Sequence, residues 1–247
     1  MREPAPDPPE IELAPPGLPG VRPLAPGDWL RADGDFAGTM ALRAHLVRTR
    51  RDAVLGAVPG SEAVVRRALA RVREALRGAP GYAVGADALT RPDGGRVPLG
   101  GDPLAALALA VQEDVCVMDR GPEGVHVLVA AALCFPAEWT LAEKLGRGLP
   151  GIHAPVAAYD AGIERRVQRL FDGLHPDRPL ERSNAHRHDG GTRHAPRGEA
   201  EPKARARDAR WLRRERQCLV GLGPGRGGPA LFTIRTYITR IGDDPAA

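Results

Sequence analysis

Ten consecutive residues at 125–134, VHVLVAAALC, carry a single polar side chain, that of His126. Successive side chains of a strand point to opposite faces, so a stretch apolar at both parities has to be covered on both sides. The stretch is too short for a membrane-spanning helix, which needs about 20 apolar residues. It therefore predicts a central strand sandwiched between two layers. Upstream, VCVM at 115–118 reads as its hairpin partner, joined through the turn Gly121-Pro122-Glu123-Gly124. Near the end of the chain, LFTIRTYI at 231–238 alternates: Phe232, Ile234 and Ile238 share one face, and Thr233, Arg235 and Tyr237 the other. That pattern predicts a half-buried strand whose polar face looks at solvent or a pocket.

Helical patterns supply the covering layers. From Gly38 to Val58, Leu42, Leu46 and Val54 are separated by arginines at helical spacing. Ser61 then caps a helix that runs through Val64, Val65, Leu69, Val72 and Leu76 to Gly78. Asp102-Pro103 opens a third helix, LAALALAV, apolar all round and therefore buried. Thr140 and Glu143 have capping-box spacing before a short helix ending near Gly146 or Gly148. Ile163, Val167, Leu170, Phe171 and Leu174 mark a last amphipathic helix. Helices first, then strands interrupted by helices without βαβ repetition, predict an α+β fold: an antiparallel sheet with flanking helices.

With 247 residues, 43% of them hydrophobic, the chain can fill one substantial core, so a single domain is expected over 27–241. The proline-laden residues 1–26 predict an extended or disordered lead-in, and 242–247 a tail. Residues 186–210, HRHDGGTRHAPRGEAEPKARARDAR, offer almost nothing to bury and predict a mobile Arg/His-rich insertion. The net charge is +4, but Lys144 and Lys203 are the only lysines and Arg, Ala, Gly and Pro all have GC-rich codons. Codon bias accounts for the basic balance, so nucleic acid is not expected as a partner. Three widely spaced cysteines form no CxxC pair and fit reduced thiols in the cytoplasm. Neither a signal peptide nor a membrane span is expected.

Seven blocks in order carry a resemblance: VQEDVCVM at 111–118, AALCFPAEW at 131–139, EKLG at 143–146, IHAPV at 152–156, RSN at 182–184, RRERQCL at 213–219 and FTIRTY at 232–237. With an opening W-x3-D-x2-F at Trp29, Asp33 and Phe36, the chain resembles the haem-dependent oxidative N-demethylase family over roughly residues 27–241. The resemblance implies a PAS-like domain that holds haem b and oxidises a small methylated amine such as dimethylamine with O2. The methyl group is hydroxylated, and the carbinolamine falls apart to amine and formaldehyde. Electrons would come from a separate flavin or iron–sulfur reductase subunit, because the chain has no cysteine cluster and its GxGxxG match, GPGRGG at 223–228, leads into the LFTIRTYI strand rather than opening a helix. The alternative is a non-catalytic haem-binding sensor or carrier. One departure stands out: the family pattern places an aromatic residue after R-x-N, whereas Ala185 follows Asn184.

Haem iron takes an axial ligand, most often a neutral imidazole. Among seven histidines, His153 stands apart in GIHAPV, flanked by Ile152 and Val156 with Pro155 stiffening the segment. On the residues alone it is either a structural histidine of an apolar loop or a ligand, and the resemblance favours the ligand. Cys134 or Cys116 would be the thiolate alternative. Lys144, Arg182 and Arg235 fall within the matching blocks as candidate partners for the haem propionates, each equally readable as a surface charge or internal ion pair. A protonated amine favours a nearby carboxylate, which makes Glu113, Asp114 and Glu215 the catalytic candidates, although Glu113-Asp114 also suits a capping or turn pair.

Overall fold

A computed structural model describes residues 20–154, 160–201 and 209–242. The apolar stretch builds the predicted hairpin, β6 (Asp114–Arg120) with β7 (His126–Ala132). Its turn closes through Gly121 N–H donating to the Val125 carbonyl (2.9 Å), with Gly124 at φ +77°, a left-handed conformation that glycine adopts without steric cost. Both faces are covered, as a doubly apolar strand requires. The strand is not central, however. A short edge strand, β2 (Leu55–Ala57), pairs with Ala130–Ala132 beyond it.

The remaining long strands are β8 (Leu180–His188), β9 (Trp211–Gly221) and β10 (Ala230–Arg240). With the two-residue β1 (Arg22–Pro23), the seven-stranded sheet runs β1-β8-β9-β10-β6-β7-β2, and all its pairings are antiparallel. A small second sheet, β3 (Ala83–Val84), β4 (Ala88–Thr90) and β5 (Arg96–Pro98), lies between Leu76 and Pro103 in the chain.

One face of the large sheet packs against α1 (Phe36–Thr49), α2 (Arg51–Val54), α3 (Glu62–Leu76) and α4 (Pro103–Ala110). Its core joins Val64, Leu69 and Val72 of α3 and Leu107 of α4 to Val115, Val117, Val220 and Leu231 of the sheet. The other face carries α5 (Leu141–Lys144), α6 (Leu149–His153) and α7 (Ala161–Asp172) over Cys116, Met118, Leu128, Leu219 and Phe232. The fold is a single-domain α+β arrangement, an antiparallel sheet with flanking helices, as its pattern of elements predicts.

Several local expectations are corrected. The helical pattern from Gly38 does not continue to Val58: it breaks at Arg50, and Leu55–Ala57 leaves as the edge strand β2. The Ser61 hydroxyl precedes α3 but donates back to the Val58 carbonyl (2.7 Å) instead of capping the helix. Residues 186–188 are not loop; they complete β8 against Arg213–Trp211. Residues 189–201 also pack on the fold: Glu138 N–H donates to the Ala195 carbonyl (3.0 Å), and Lys144 Nζ pairs with Glu199 (2.5 Å). The rest of that expected insertion, 202–208, lies outside the described residues, as do 1–19, 155–159 and 243–247. On β10 the polar face is as buried as the apolar one: Thr233, Arg235 and Tyr237 all lie inside the protein, where Arg235 and Tyr237 both bond to Asp33.

One buried ion pair ties the layers together. Arg43 of α1 is fully buried and donates to Asp114 Oδ1 (2.7 Å) and to the carbonyls of Ala108 (2.7 Å) and Gln112 (3.3 Å). Asp114 in turn accepts the backbone N–H groups of Cys134 (2.7 Å) and Phe135 (2.9 Å), just after β7.

Candidate functional site

β8 and β9 pair over nine residues, and this register builds the site. Arg182, Asn184 and His186 alternate onto the α5–α7 face of the sheet, opposite Gln217, Glu215 and Arg213 respectively. Ala185 alternates onto the other face opposite Arg214, so the residue that departs from the family pattern lies away from the Arg182–Asn184–His186 row.

Within this row Glu215 is held firmly. Its Oε1 accepts from Arg213 Nε (2.9 Å) and its Oε2 from Gln217 Nε2 (2.9 Å). Arg213, fully buried, also reaches the carbonyls of Phe135 (2.5 Å) and Arg193 (3.0 Å) and the Thr236 hydroxyl (3.1 Å). By contrast, Arg182 Nε and Asn184 Oδ1 are buried without a hydrogen-bond partner among the described residues. Burial pulls the Arg182 pKa below the ordinary guanidinium value, opposed by Glu215. Burial likewise lowers His186, with Glu215 pulling the other way.

His153 ends α6 and does not sit in a loop; of the flanking residues that suggested an apolar collar, Pro155 and Val156 lie outside the described residues. Its Nδ1 is 2.8 Å from the Leu149 carbonyl one helical turn back, so Nδ1 carries the proton and donates. Burial, followed by the charges of Lys144 and Arg182, lowers the His153 pKa against the pull of that bond, leaving a neutral imidazole whose Nε2 holds the lone pair. Lys144, 5% exposed, donates to the Ile152 carbonyl (2.7 Å) beside it and pairs with Glu199. Lys144 and Arg182 are thus near enough to bias His153 through their charges, and Glu215 to bias Arg182. Glu138, whose charge acts on His186, takes a left-handed backbone (φ 56°), which is uncommon for a residue other than glycine.

The other three candidates lie elsewhere. Arg235 is on the opposite face, bound to Asp33 through Nε (3.1 Å) and Nη2 (2.8 Å) and stacked over Tyr237, whose hydroxyl donates to Asp33 (2.6 Å). Glu113 accepts from Arg31 N–H (2.9 Å), and burial raises its pKa. Asp114 is engaged by Arg43 and the two amides after β7. Burial pushes the Cys134 thiol up to about 11 and raises Cys116 as well, so both stay protonated at neutral pH and neither offers a ready thiolate.

Two shallow grooves beside α6 reach the 121–127 hairpin and α7 but contain none of these residues. Asn184, His186, Arg213 and Gln217 were not among the residues that the sequence singled out. Their signal was the period-two row Arg182, Asn184, His186, hidden because no apolar alternation accompanied it.

The unpartnered Arg182 Nε bears on whether a haem suits this site. A desolvated guanidinium with an Nε unpartnered among the described residues calls for an anion, which a propionate would supply, and the neutral imidazole is the form in which histidine binds haem iron. The donor set therefore fits an iron porphyrin. Among the described residues no helix is long and apolar enough to cross a membrane. No curated protein matches the chain. A family model described as "Haem-dependent oxidative N-demethylase, alpha subunit-like" matches residues 20–244, nearly the whole chain. The protein belongs to the haem-dependent oxidative N-demethylase, alpha subunit-like family.

Proposed function

We propose that this chain is the haem-binding subunit of a monooxygenase that removes a methyl group from a small secondary or tertiary amine. The observation that carries the proposal is the buried Arg182 Nε, unpartnered among the described residues, with Glu215 acting on its charge and a neutral His153 within its electrostatic reach. His153 would give a nitrogen ligand to the iron, and Arg182 would neutralise a propionate. Lys144 would add positive potential, although its ammonium is already shared with Glu199. Arg235 would act from the opposite face through the sheet rather than by contact. The PAS-like reading is supported by the strand order: in chain order the five long strands lie 3-4-5-1-2 across the sheet, with α5–α7 between the second and third.

When bound, haem supplies O2 activation, so that with two electrons and two protons one oxygen atom enters the N-methyl C–H bond and the other leaves as water. The carbinolamine then loses formaldehyde to give the demethylated amine. Glu215 would orient the protonated amine, its carboxylate held in place by Arg213 and Gln217. Glu113 and Asp114 would serve the site indirectly, by fixing Arg31 and the segment that follows β7. Electrons would come from a flavin or iron–sulfur reductase subunit in the cytoplasm.

The experiment supplies reductant, air and dimethylamine to hemin-loaded protein. Formaldehyde release over many turnovers supports the enzyme. Hemin binding with no formaldehyde assigns the protein to the sensor or carrier class instead.

A further inference from the structure

Asn184 has a requirement that a haem cannot meet. Its Oδ1 is a buried acceptor without a partner among the described residues, and orphaned buried polar groups are rare in folded proteins. Arg182, two residues earlier on the same face, lacks a partner for a donor. A propionate answers the arginine, because an ionised carboxylate only accepts. It offers nothing to Asn184, and a porphyrin whose four nitrogens hold iron has no N–H left to donate. The Asn184 acceptor therefore points to a second ligand that brings its own donor.

The strand register says what that donor is next to. Asn184 stands directly opposite Glu215, at the spacing of about 5 Å between Cβ atoms that such pairs have. Each Glu215 oxygen already accepts one hydrogen bond and retains capacity for another. The pair thus presents a fixed carboxylate and a neutral carbonyl side by side, which suits a cation with two N–H groups. A secondary ammonium has two, a tertiary ammonium one and a quaternary ammonium none.

We propose that Asn184 is a specificity-determining residue that, with Glu215, selects secondary ammonium substrates by counting their N–H groups. Asn184 Oδ1 takes one hydrogen and Glu215 the other. This assignment rests on the demethylase reading for its substrate class, but the subsite itself does not require iron.

The test titrates dimethylammonium, trimethylammonium and tetramethylammonium chloride into hemin-loaded protein, following the haem absorption, and into haem-free protein by calorimetry. Wild type is expected to bind dimethylammonium about tenfold or more tighter than trimethylammonium, the size of one hydrogen bond to a charged group, with tetramethylammonium weakest. Asn184→Leu should bring the first two within about threefold of each other while hemin uptake and the melting temperature stay unchanged. Asn184→Asp, which keeps an acceptor, should retain the order. Equal affinity of wild type and Asn184→Leu for dimethylammonium overturns the proposal, and would mean that ordered water satisfies Oδ1. If hemin is not taken up at all, the demethylase reading falls. The haem-free titration then decides the subsite separately: Asn184-dependent dimethylammonium binding keeps it, and no binding in either form ends it.

Discussion

Replacing Asp114 by alanine should unfold much of the molecule's margin of stability without touching the Arg182–Glu215 face. Asp114 and Arg43 are both fully buried and 2.7 Å apart. Removing one partner of a buried ion pair leaves an uncompensated charge and costs about 3–5 kcal/mol. The substitution also strips the acceptor from the Cys134 and Phe135 amides, each an unsatisfied buried N–H worth about 1–3 kcal/mol unless water enters the space. These terms share one site and do not simply add, so about 4 kcal/mol, the middle of the ion-pair range, is the working figure. A domain of this size holds about 5–15 kcal/mol in total, and about 4 kcal/mol corresponds to a fall in Tm of roughly 8–16 °C. Asp114→Asn, which keeps an acceptor but no charge, should fall between wild type and alanine. The assay is thermal unfolding of haem-free protein by circular dichroism, so that ligand binding does not contribute. A change of less than about 2 °C for Asp114→Ala would refute the claim that this pair pins the segment after β7 to α1.

Burial raises the Glu113 pKa against the pull of Arg235 and the Arg31 amide, so the native state holds that proton more tightly than the unfolded chain. Stability from this group is full below the unfolded value of about 4.3 and is lost as pH rises through the folded value. Glu113→Gln keeps the Oε1 acceptor and should flatten urea-unfolding stability over that interval; an unchanged profile would count against it. Arg182→Met should weaken hemin binding about tenfold or more in a spectrophotometric titration, the loss of one charge-assisted contact. Unaltered affinity would remove Arg182 from the haem edge. Glu199→Gln removes the ion pairs to Lys144 and Arg147, leaving the Glu199 N–H bond to Glu143, and trypsin should then cut at Arg193 and Arg197 faster than in wild type. Equal cleavage rates would show that the ion pairs do not hold this segment.

The elements that sequence made legible are those whose side chains have one physical use. VHVLVAAALC can only be a covered strand, and Asp102-Pro103 places its cap and its first turn unambiguously, with Asp102 Oδ1 accepting from Leu104 N–H (2.8 Å). Polar residues with internal partners are harder to read. Arg235 and Tyr237 look like a solvent-facing row until Asp33, about 200 positions earlier, is seen beneath them. The same ambiguity hid β8. Arg182, Asn184, His186 and His188 carry no apolar alternation, and the strand is set by pairing with β9 across a gap of more than 20 residues. His153, Lys144, Arg182 and Glu215 could be named from the motif blocks, but their electrostatic coupling depends on α5 and α6 covering the same face of the sheet, which no local spacing encodes. β2 was missed because three residues, LGA, continue the helical pattern that precedes them.

The measurement closest to the centre of this account is hemin uptake by His153→Gly, with and without added imidazole, read by absorption in the ferric and ferrous–CO forms. The account predicts a pigmented wild type with an imidazole-type spectrum, a variant that loses or alters that spectrum, and its return when imidazole fills the gap. A His153→Gly protein that takes up hemin as avidly as wild type, with an identical spectrum and no response to imidazole, would contradict it.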